Sequence, residues 1–251
     1  MNRKQRRAQE AKTRQGAVLE AANKSAPMYD KIYAAEAKTA SEMLGAGTVD
    51  RKKVADVVEN AVVFAGAFNK ENVVMACGAG CHYCCYQLVG TSSLEIVHIA
   101  TWIREHMSEE ERAGIIAGLT DVTSKRKVGT SVAARCAFLN EEGLCRIYDV
   151  RPLACRSVTS ESSEPCREWL EEGQPLGKVA DRRRYTAHMA TLHALDRGLS
   201  SRALHGGFLD FHAALLVALK DDTAVPRWYA GEHVFSSATI PPAKRRMLPM
   251  L

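Results

Sequence analysis

Apolar residues recur at three- and four-residue intervals in the first half of the chain. One such stripe covers residues 54–65 and consists of Val54, Val57, Val58, Ala61, Val62 and Ala65. This spacing places its members on one face of an α-helix, because a helix turns once in 3.6 residues. The pattern predicts an amphipathic helix that ends between Gly66 and Asn69.

Two further helices carry start signals. Ser92 and Glu95 have the spacing of a capping box, in which each side chain accepts a backbone N–H bond of the first turn. A second helix is predicted to begin at Ser108, since the acidic residues 109–111 suit the positive end of a helix dipole. The apolar face of the earlier helix would contain Ile96, Ile99, Ala100, Ile103 and Met107.

Residues 178–222 predict two more helices. The second is apolar on nearly every side, which is typical of a buried helix. Its large apolar residues are Phe208, Leu209, Phe211, Leu215, Leu216 and Leu219. Alternating strand and helix signals are missing, so a Rossmann sheet or a TIM barrel is not predicted.

A different pattern surrounds the later cysteines. Two short extended pieces flank a turn with Asn140 and Gly143, which predicts a β-hairpin that brings Cys136 and Cys145 together. Further on, Pro152 disfavours helical geometry at the residue before it. A short helix is predicted around residue 166, after another proline.

These elements predict a mainly α fold, an irregular helical domain with a short β-hairpin and a cysteine-rich metal-binding centre. Along the chain we expect a basic, disordered arm at 1–17 and a helical region at 18–72. A cysteine-cluster metal-binding domain would follow at 73–170, then C-terminal helices at 171–225 and an irregular tail at 226–251.

Composition indicates a soluble, cytoplasmic protein with no membrane segment. The 251 residues are 46% apolar, which is enough for a core. Residues 1–15 hold six Lys or Arg, unlike a secretory signal, and the apolar run 213–219 is far below the roughly 20 residues that span a bilayer. The basic arm and a net charge of +5 would allow nucleic-acid binding, although a solubilising tail is the simpler interpretation.

Eight cysteines are the main chemical feature of the sequence. So many thiols in one region either form disulfides or bind metal, and the expected reducing compartment favours metal. A zinc site or a cubane cluster takes four ligands, so eight thiols allow two mononuclear sites, one cluster with spare or redox-active thiols, or one centre of each kind. The candidate ligands are Cys77, Cys81, Cys84, Cys85, Cys136, Cys145, Cys155 and Cys166.

Cationic residues accompany the later cysteines. Guanidinium groups can stabilise the net negative charge of a four-thiolate centre, or they can pair with nearby carboxylates. The arginines concerned are Arg135, Arg146, Arg151, Arg156 and Arg167. The loop residue His82 is a further possible ligand, but it is more typical of a residue beside the ligands.

One motif within the first cluster resembles that of radical S-adenosylmethionine enzymes. The spacing Cys77-x3-Cys81-x2-Cys84 matches their CxxxCxΦC signature. That motif follows the first strand of a barrel, whereas the motif here follows a predicted helix and precedes the extra Cys85. The mainly helical pattern therefore does not favour this interpretation.

The whole cysteine pattern resembles the YkgJ-like cysteine-cluster family. The resemblance is carried by Cys77-x3-Cys81-x2-Cys84-Cys85, by Cys136 and Cys145, and by Ile147-Tyr148-x2-Arg151-Pro152-x2-Cys155-Arg156. It implies a CxxCxxCC domain that chelates zinc or iron, with an iron–sulfur cluster as one form and no assigned activity. The family shorthand has two residues where this chain has three between its first two cysteines, so Cys77 is the least secure ligand.

The resemblance also implies two alternative functions. Some proteins with a similar domain resemble S-adenosylmethionine-dependent lysine methylases of flagellin, and an iron–sulfur form would suit redox or electron-transfer work. The sequence supplies no glycine-rich nucleotide loop for the first alternative. Gly45-Ala-Gly47 and Gly78-Ala-Gly80 are short and typical of turns.

Overall fold

The computed structural model describes residues 27–68, 74–130, 132–172, 181–199 and 204–242. The predicted basic arm at 1–17 lies outside the described residues. In chain order the helices are α1 (27–44), α2 (Arg51–Gly66), α3 (Ser93–His106), α4 (Glu109–Lys125), α5 (Leu153–Ser157), α6 (Glu164–Glu172), α7 (Arg182–Leu199), α8 (Phe211–Lys220) and α9 (Ala224–Tyr229). Three 3₁₀ turns cover Tyr83–Tyr86, Tyr148–Val150 and Ser236–Ala238.

The helix starts predicted at Ser92 and Ser108 are confirmed, and α2 has a cap that was not predicted. Helix α2 is capped by Asp50, whose side chain accepts a hydrogen bond from the backbone N–H of Lys53. Helix α3 has both halves of the box formed by Ser92 and Glu95. Helix α4 has the same box formed by Ser108 and Glu111. Each box satisfies backbone N–H groups that have no partner within the helix.

A two-stranded antiparallel sheet joins distant parts of the chain. Strand β1 (Gly90–Thr91) pairs with β2 (Leu209–Asp210), so that Gly90 faces Asp210. Any Cβ at Gly90 would lie 2.1 Å from the ring of Phe208, which explains the need for glycine where these segments approach. The sheet places the start of α3 beside the start of α8.

The predicted hairpin at residues 136–145 is present in a minimal form. It has one antiparallel bridge, between Leu139 and Cys145, and its turn closes with a hydrogen bond from the Asn140 N–H to the Leu144 carbonyl at 2.9 Å. Gly143 has a φ of 76°, a conformation that side chains disfavour. Local turn chemistry therefore holds this segment without a full strand pair.

One hydrophobic cluster runs from Ala40 to Ile240 and includes the fully buried Trp228, Phe138 and Phe211. Helix α8 lies at its centre, packed against α3 and α4, while α7 packs against α2 and the short α5. The cysteine segments lie against this helical scaffold. The predicted division of the chain into separate regions stays a prediction.

Among the described helices, none combines the length and the apolar character that a transmembrane span requires.

Candidate metal centre

All eight cysteines lie in described segments and are free thiols. Cys77 and Cys81 stand in the irregular chain before the first 3₁₀ turn, and Cys84 and Cys85 belong to that turn. The minimal hairpin supplies two more thiols, α5 supplies Cys155, and α6 supplies the last. Cys77 is exposed, and the other seven are half-buried.

Four of these thiols form what we call the inner group, Cys84, Cys136, Cys145 and Cys155. Burial raises the pKa of Cys155 well above its usual range, and the nearby thiols of the other three raise it further. Burial likewise raises the pKa of Cys136 to about 12, with Cys145 and Cys84 among the neighbours that add to the effect. The first 3₁₀ turn, the minimal hairpin and α5 therefore all contribute thiols to this group.

Three of the remaining four thiols form the outer group, Cys77, Cys81 and Cys166, and the fourth, Cys85, is hydrogen-bonded to Cys84. Burial raises the pKa of Cys166, and the thiols of Cys77, Cys84 and Cys81 raise it further. Burial also raises the pKa of Cys81, and the thiols of Cys77 and Cys84 raise it further. Cys84 therefore lies next to both groups, and its own pKa is raised first by a hydrogen bond with the Cys85 side chain.

Backbone hydrogen bonds tie the separate segments together. The N–H of Cys136 donates to the carbonyl of Cys85 at 2.8 Å, which joins the hairpin to the 3₁₀ turn. On the outer side, the N–H of Ser160 donates to the Sγ of Cys77 at 3.3 Å, and the N–H of Ala76 donates to the Ser160 carbonyl at 2.9 Å. A side-chain hydrogen bond also links Ser160 to Cys166.

The buried Glu95 fixes the helix that carries Cys155. One carboxylate oxygen accepts hydrogen bonds from Thr91 and from the N–H of Ser92, at 2.9 and 3.0 Å. The other accepts the N–H of Leu153, the first residue of α5, at 2.8 Å. The capping box was predicted from the sequence. The hydrogen bond from Leu153 to Glu95, which anchors α5, was not predicted. It joins residues 58 positions apart, and no sequence pattern indicates it.

The five arginines near the later cysteines have different roles. Arg146 pairs with Glu111 at 3.2 Å. Arg167 pairs with Glu164 and Glu171 at 2.6 Å, and Arg135 donates to the carbonyl of Asn140. These three arginines are accounted for by surface contacts, as the simpler interpretation expected.

Arg151 and Arg156 instead act on the inner group. The guanidinium of Arg151 lowers the pKa of Cys84, Cys145 and Cys155 against the larger effects that raise them. Within the described residues neither arginine forms a salt bridge, and the buried Nε of Arg151 has no hydrogen-bond partner. Two cations without carboxylate partners beside four thiols favour the charged, thiolate form of those thiols.

A histidine that the sequence did not single out lies against the inner group. The Nε2 of His212 is 3.3 Å from the Sγ of Cys136, and its Nδ1 is 2.6 Å from Nη2 of Arg126. Both residues are buried, and Asp210 lies 3.8 Å from the same guanidinium. The spacing of histidines along the chain could not show this contact, because Cys136 and His212 meet only in the fold.

His82, considered as a ligand from the sequence, points elsewhere. Its Nδ1 lies 2.9 Å from the carbonyl of Gly80, and its ring stacks on Tyr83. Gly143 packs closely against the same ring, since a Cβ at position 143 would lie 3.2 Å from the Nδ1 of His82. The contacts place His82 in the packing of the loop rather than among the thiols.

The donor set of the inner group fits zinc, iron or an iron–sulfur cluster, because all three take four thiolates. In the described residues no three Cys, His, Asp or Glu side chains already stand in ligating positions.

Comparison with known proteins agrees with the cysteine pattern. Residues 76–173 match the model of the CxxCxxCC family, described as a "Putative zinc- or iron-chelating domain". No curated protein and no solved structure shows significant similarity to the chain. The matched range contains all eight cysteines as well as Arg151 and Arg156. The similarity to this family thus spans the whole cysteine-bearing part of the chain.

Proposed function

We propose that the inner group binds zinc or iron through its four cysteine thiolates. The observation that carries the proposal is the meeting of Cys84, Cys136, Cys145 and Cys155 from three separate segments of the chain. Four thiolates satisfy a tetrahedral zinc ion and also a cubane cluster. The outer group, with Cys84 beside it, would supply a second, more exposed centre or shield the first.

Charge supports the same proposal. Bringing four thiols together raises the pKa of each, as Cys155 illustrates, because one thiolate opposes the ionisation of the next. Arg151 and Arg156 offset part of this repulsion. A bound cation would offset much more of it, since it replaces the protons of its ligands and leaves a centre that the guanidinium groups can stabilise.

For the kind of centre, we propose an iron–sulfur cluster ahead of mononuclear iron. The support is the all-sulfur donor set, because imidazole and carboxylate ligands are typical of mononuclear iron. When bound, zinc would serve as a structural ion or a Lewis acid, whereas an iron–sulfur cluster would transfer electrons. The chain's own thiols and arginines would hold either centre in the same place.

The test is anaerobic purification of the full chain, followed by elemental analysis and an absorption spectrum. We expect zinc or iron in stoichiometric amount, with visible absorption if the iron is in a cluster. The measurement is repeated with Cys84→Ser and Cys155→Ser, for which we expect loss of most of the metal. Cys77→Ser is the matched control, because the same chemical change at an exposed thiol leaves the inner four ligands in place.

The outcomes separate clearly. A folded wild-type protein without transition metal would contradict metal binding altogether. Full metal content in both inner variants would contradict the ligand set. Loss of metal in Cys77→Ser and Cys84→Ser, with retention in Cys155→Ser, would move the centre to the outer group.

Methyl transfer and electron transfer stay predictions. The first requires S-adenosylmethionine to bind, which equilibrium dialysis of the anaerobic protein would measure directly. The second requires reversible reduction of the centre, visible as bleaching and recovery of the cluster absorption. The cytoplasmic location and the nucleic-acid contact of the basic arm likewise stay predictions, the latter tested by deleting residues 1–15.

A further inference from the structure

The hydrogen-bond chain that ends on Cys136 begins in the helical core. Asp210 caps α8 and its carboxylate lies 3.8 Å from the guanidinium of Arg126. Arg126 donates to the backbone carbonyl of Gln87 at 3.2 Å, and it reaches the Nδ1 of His212 at 2.6 Å. The imidazole then meets the Cys136 sulfur at 3.3 Å.

This geometry decides which ring nitrogen of His212 carries hydrogen. A guanidinium has only donors, so the short contact from Arg126 requires Nδ1 to accept with its lone pair. In a neutral imidazole the hydrogen is then on Nε2, the atom that faces Cys136. The imidazolium form is excluded by the same contact, because it would set an N–H group against the N–H of arginine.

The assignment also determines what His212 can do for a metal. An Nε2 that carries hydrogen has no lone pair for a cation, so His212 is not itself a ligand. It can donate an N–H···S hydrogen bond, and a thiolate accepts such a bond more strongly than a thiol. Hydrogen bonds of this kind tune the charge on sulfur and fix the ligand in place.

We infer that His212 is a positioning residue that holds the Cys136 thiolate by an N–H···S hydrogen bond, with Arg126 setting its tautomer. The inference rests on the proposed function, because the hydrogen bond supports metal binding only if Cys136 is a ligand. The side chain of Arg126 is 1% exposed, and it contacts the Gln87 carbonyl as well as Asp210 and His212. A buried cation is costly unless it is paired, and here its partners are Asp210 and His212.

The test compares variants of His212 in the full chain. Glutamine places an acceptor toward Arg126 and an N–H donor near the position of Nε2, so His212→Gln should keep the affinity for Co²⁺ within about threefold of wild type. Phenylalanine keeps the ring shape without either function, and His212→Phe should weaken Co²⁺ binding by about 10–100-fold, the usual cost of losing a residue that supports a ligand. The readouts are competition with a chelator and the energy of the sulfur-to-cobalt charge-transfer band.

His98→Phe is the matched control. His98 lies on α3 among Glu59 and Glu105 rather than among the thiols, and burial lowers its pKa as it does for His212. We expect unchanged Co²⁺ affinity and an unchanged charge-transfer band. Equal affinity and band energy for wild type, His212→Gln and His212→Phe would overturn the inference.

A second measurement needs no substitution. In ¹⁵N-labelled, reduced, metal-free wild-type protein, two-bond ¹H–¹⁵N correlations report which ring nitrogen carries hydrogen. We expect the Nε2–H tautomer at His212, and the Nδ1–H tautomer would overturn the assignment even if His212→Phe fails to fold. If wild type takes up no Co²⁺, the proposed function fails instead, while the tautomer result still tests the hydrogen bond.

Discussion

The inner and outer thiol groups meet at Cys84, an inner thiol that lies beside the outer ones, but the fold supports the two groups differently. The inner group is tied to buried residues of α3 and α8, through Glu95 below Cys155 and through His212 beside Cys136. The outer group is contacted by Ser160, in a partly exposed segment between α5 and α6, and α6 packs against the first 3₁₀ turn. Thiols of the same chemistry are therefore supported differently, because hydrogen bonds from buried residues of α3 and α8 reach the inner group.

The largest difference is expected when a ligand is removed from each group. Cys145→Ser should weaken Co²⁺ binding by more than about 100-fold, since losing a ligand costs more than the 10–100-fold loss of a residue that supports one. Cys166→Ser should cost much less at the same centre. Chelator competition gives both affinities, and equal losses would show that the two groups act as one site.

The second-largest effect is expected when the carboxylate that anchors α5 is removed. Glu95→Ala removes the acceptor for the N–H groups of Ser92 and Leu153, and each orphaned buried group costs about 1–3 kcal/mol, so we expect about 2–6 kcal/mol of lost stability. Urea unfolding of the reduced, metal-free protein measures the change. Glu111→Ala is the control, because it removes the matching half of the capping box in the exposed start of α4. A similar loss of unfolding free energy in Glu95→Ala and Glu111→Ala would contradict the expectation that Glu95 anchors α5.

Alkylation should separate the two groups in the unmodified protein. In reduced, metal-free protein at pH 8, iodoacetamide should modify Cys77 at least about tenfold faster than Cys136, because Cys77 is exposed and burial raises the pKa of Cys136 to about 12. The thiolate is the reactive form, so the Cys136 rate should rise about tenfold per pH unit while the pH stays below this pKa. Site-resolved mass spectrometry measures both rates, and simultaneous modification would contradict the distinction.

The smallest effect is expected at Ser160. Ser160→Ala removes the hydroxyl that interacts with Cys166 and contacts the Ser162 carbonyl at 2.6 Å, but it keeps the backbone N–H that contacts Cys77. A single hydrogen bond contributes about 1 kcal/mol, so alkylation of Cys166 should slow by at most about fivefold, because the lost bond favoured the thiolate. The inner thiols serve as the internal control. A change in their rates would show that Ser160 supports both groups.

Local sequence signals predicted much of the helical fold. The capping box of α3, the acidic first turn of α4 and the apolar stripe of α2 follow from patterns within one element, and the structure confirms them. The buried α8 is also confirmed, but it begins at Phe211, so Phe208 and Leu209 precede it. The sequence did not predict the two-stranded sheet, because its paired residues, Gly90 and Asp210, are far apart along the chain. A strand of two residues carries no period that a sequence pattern could reveal.

For the candidate site, the sequence alone determined the chemistry. Eight cysteines within residues 77–166, together with the IYxxRPxxCR segment, indicated a zinc- or iron-chelating domain, and the family match over residues 76–173 agrees. Residue type carries this information, since clustered thiols have few other uses in a reducing environment.

Only the tertiary structure decided how the thiols are grouped and what supports them. It placed Cys84 between the two groups, set Arg151 beside the inner one, and brought Glu95 and His212 from distant helices to its ligands. The physical reason is that hydrogen bonds and charge interactions depend on distance in space. Periodicity and spacing record only neighbours along one element, so contacts between α3, α8 and the cysteine segments leave no trace in them.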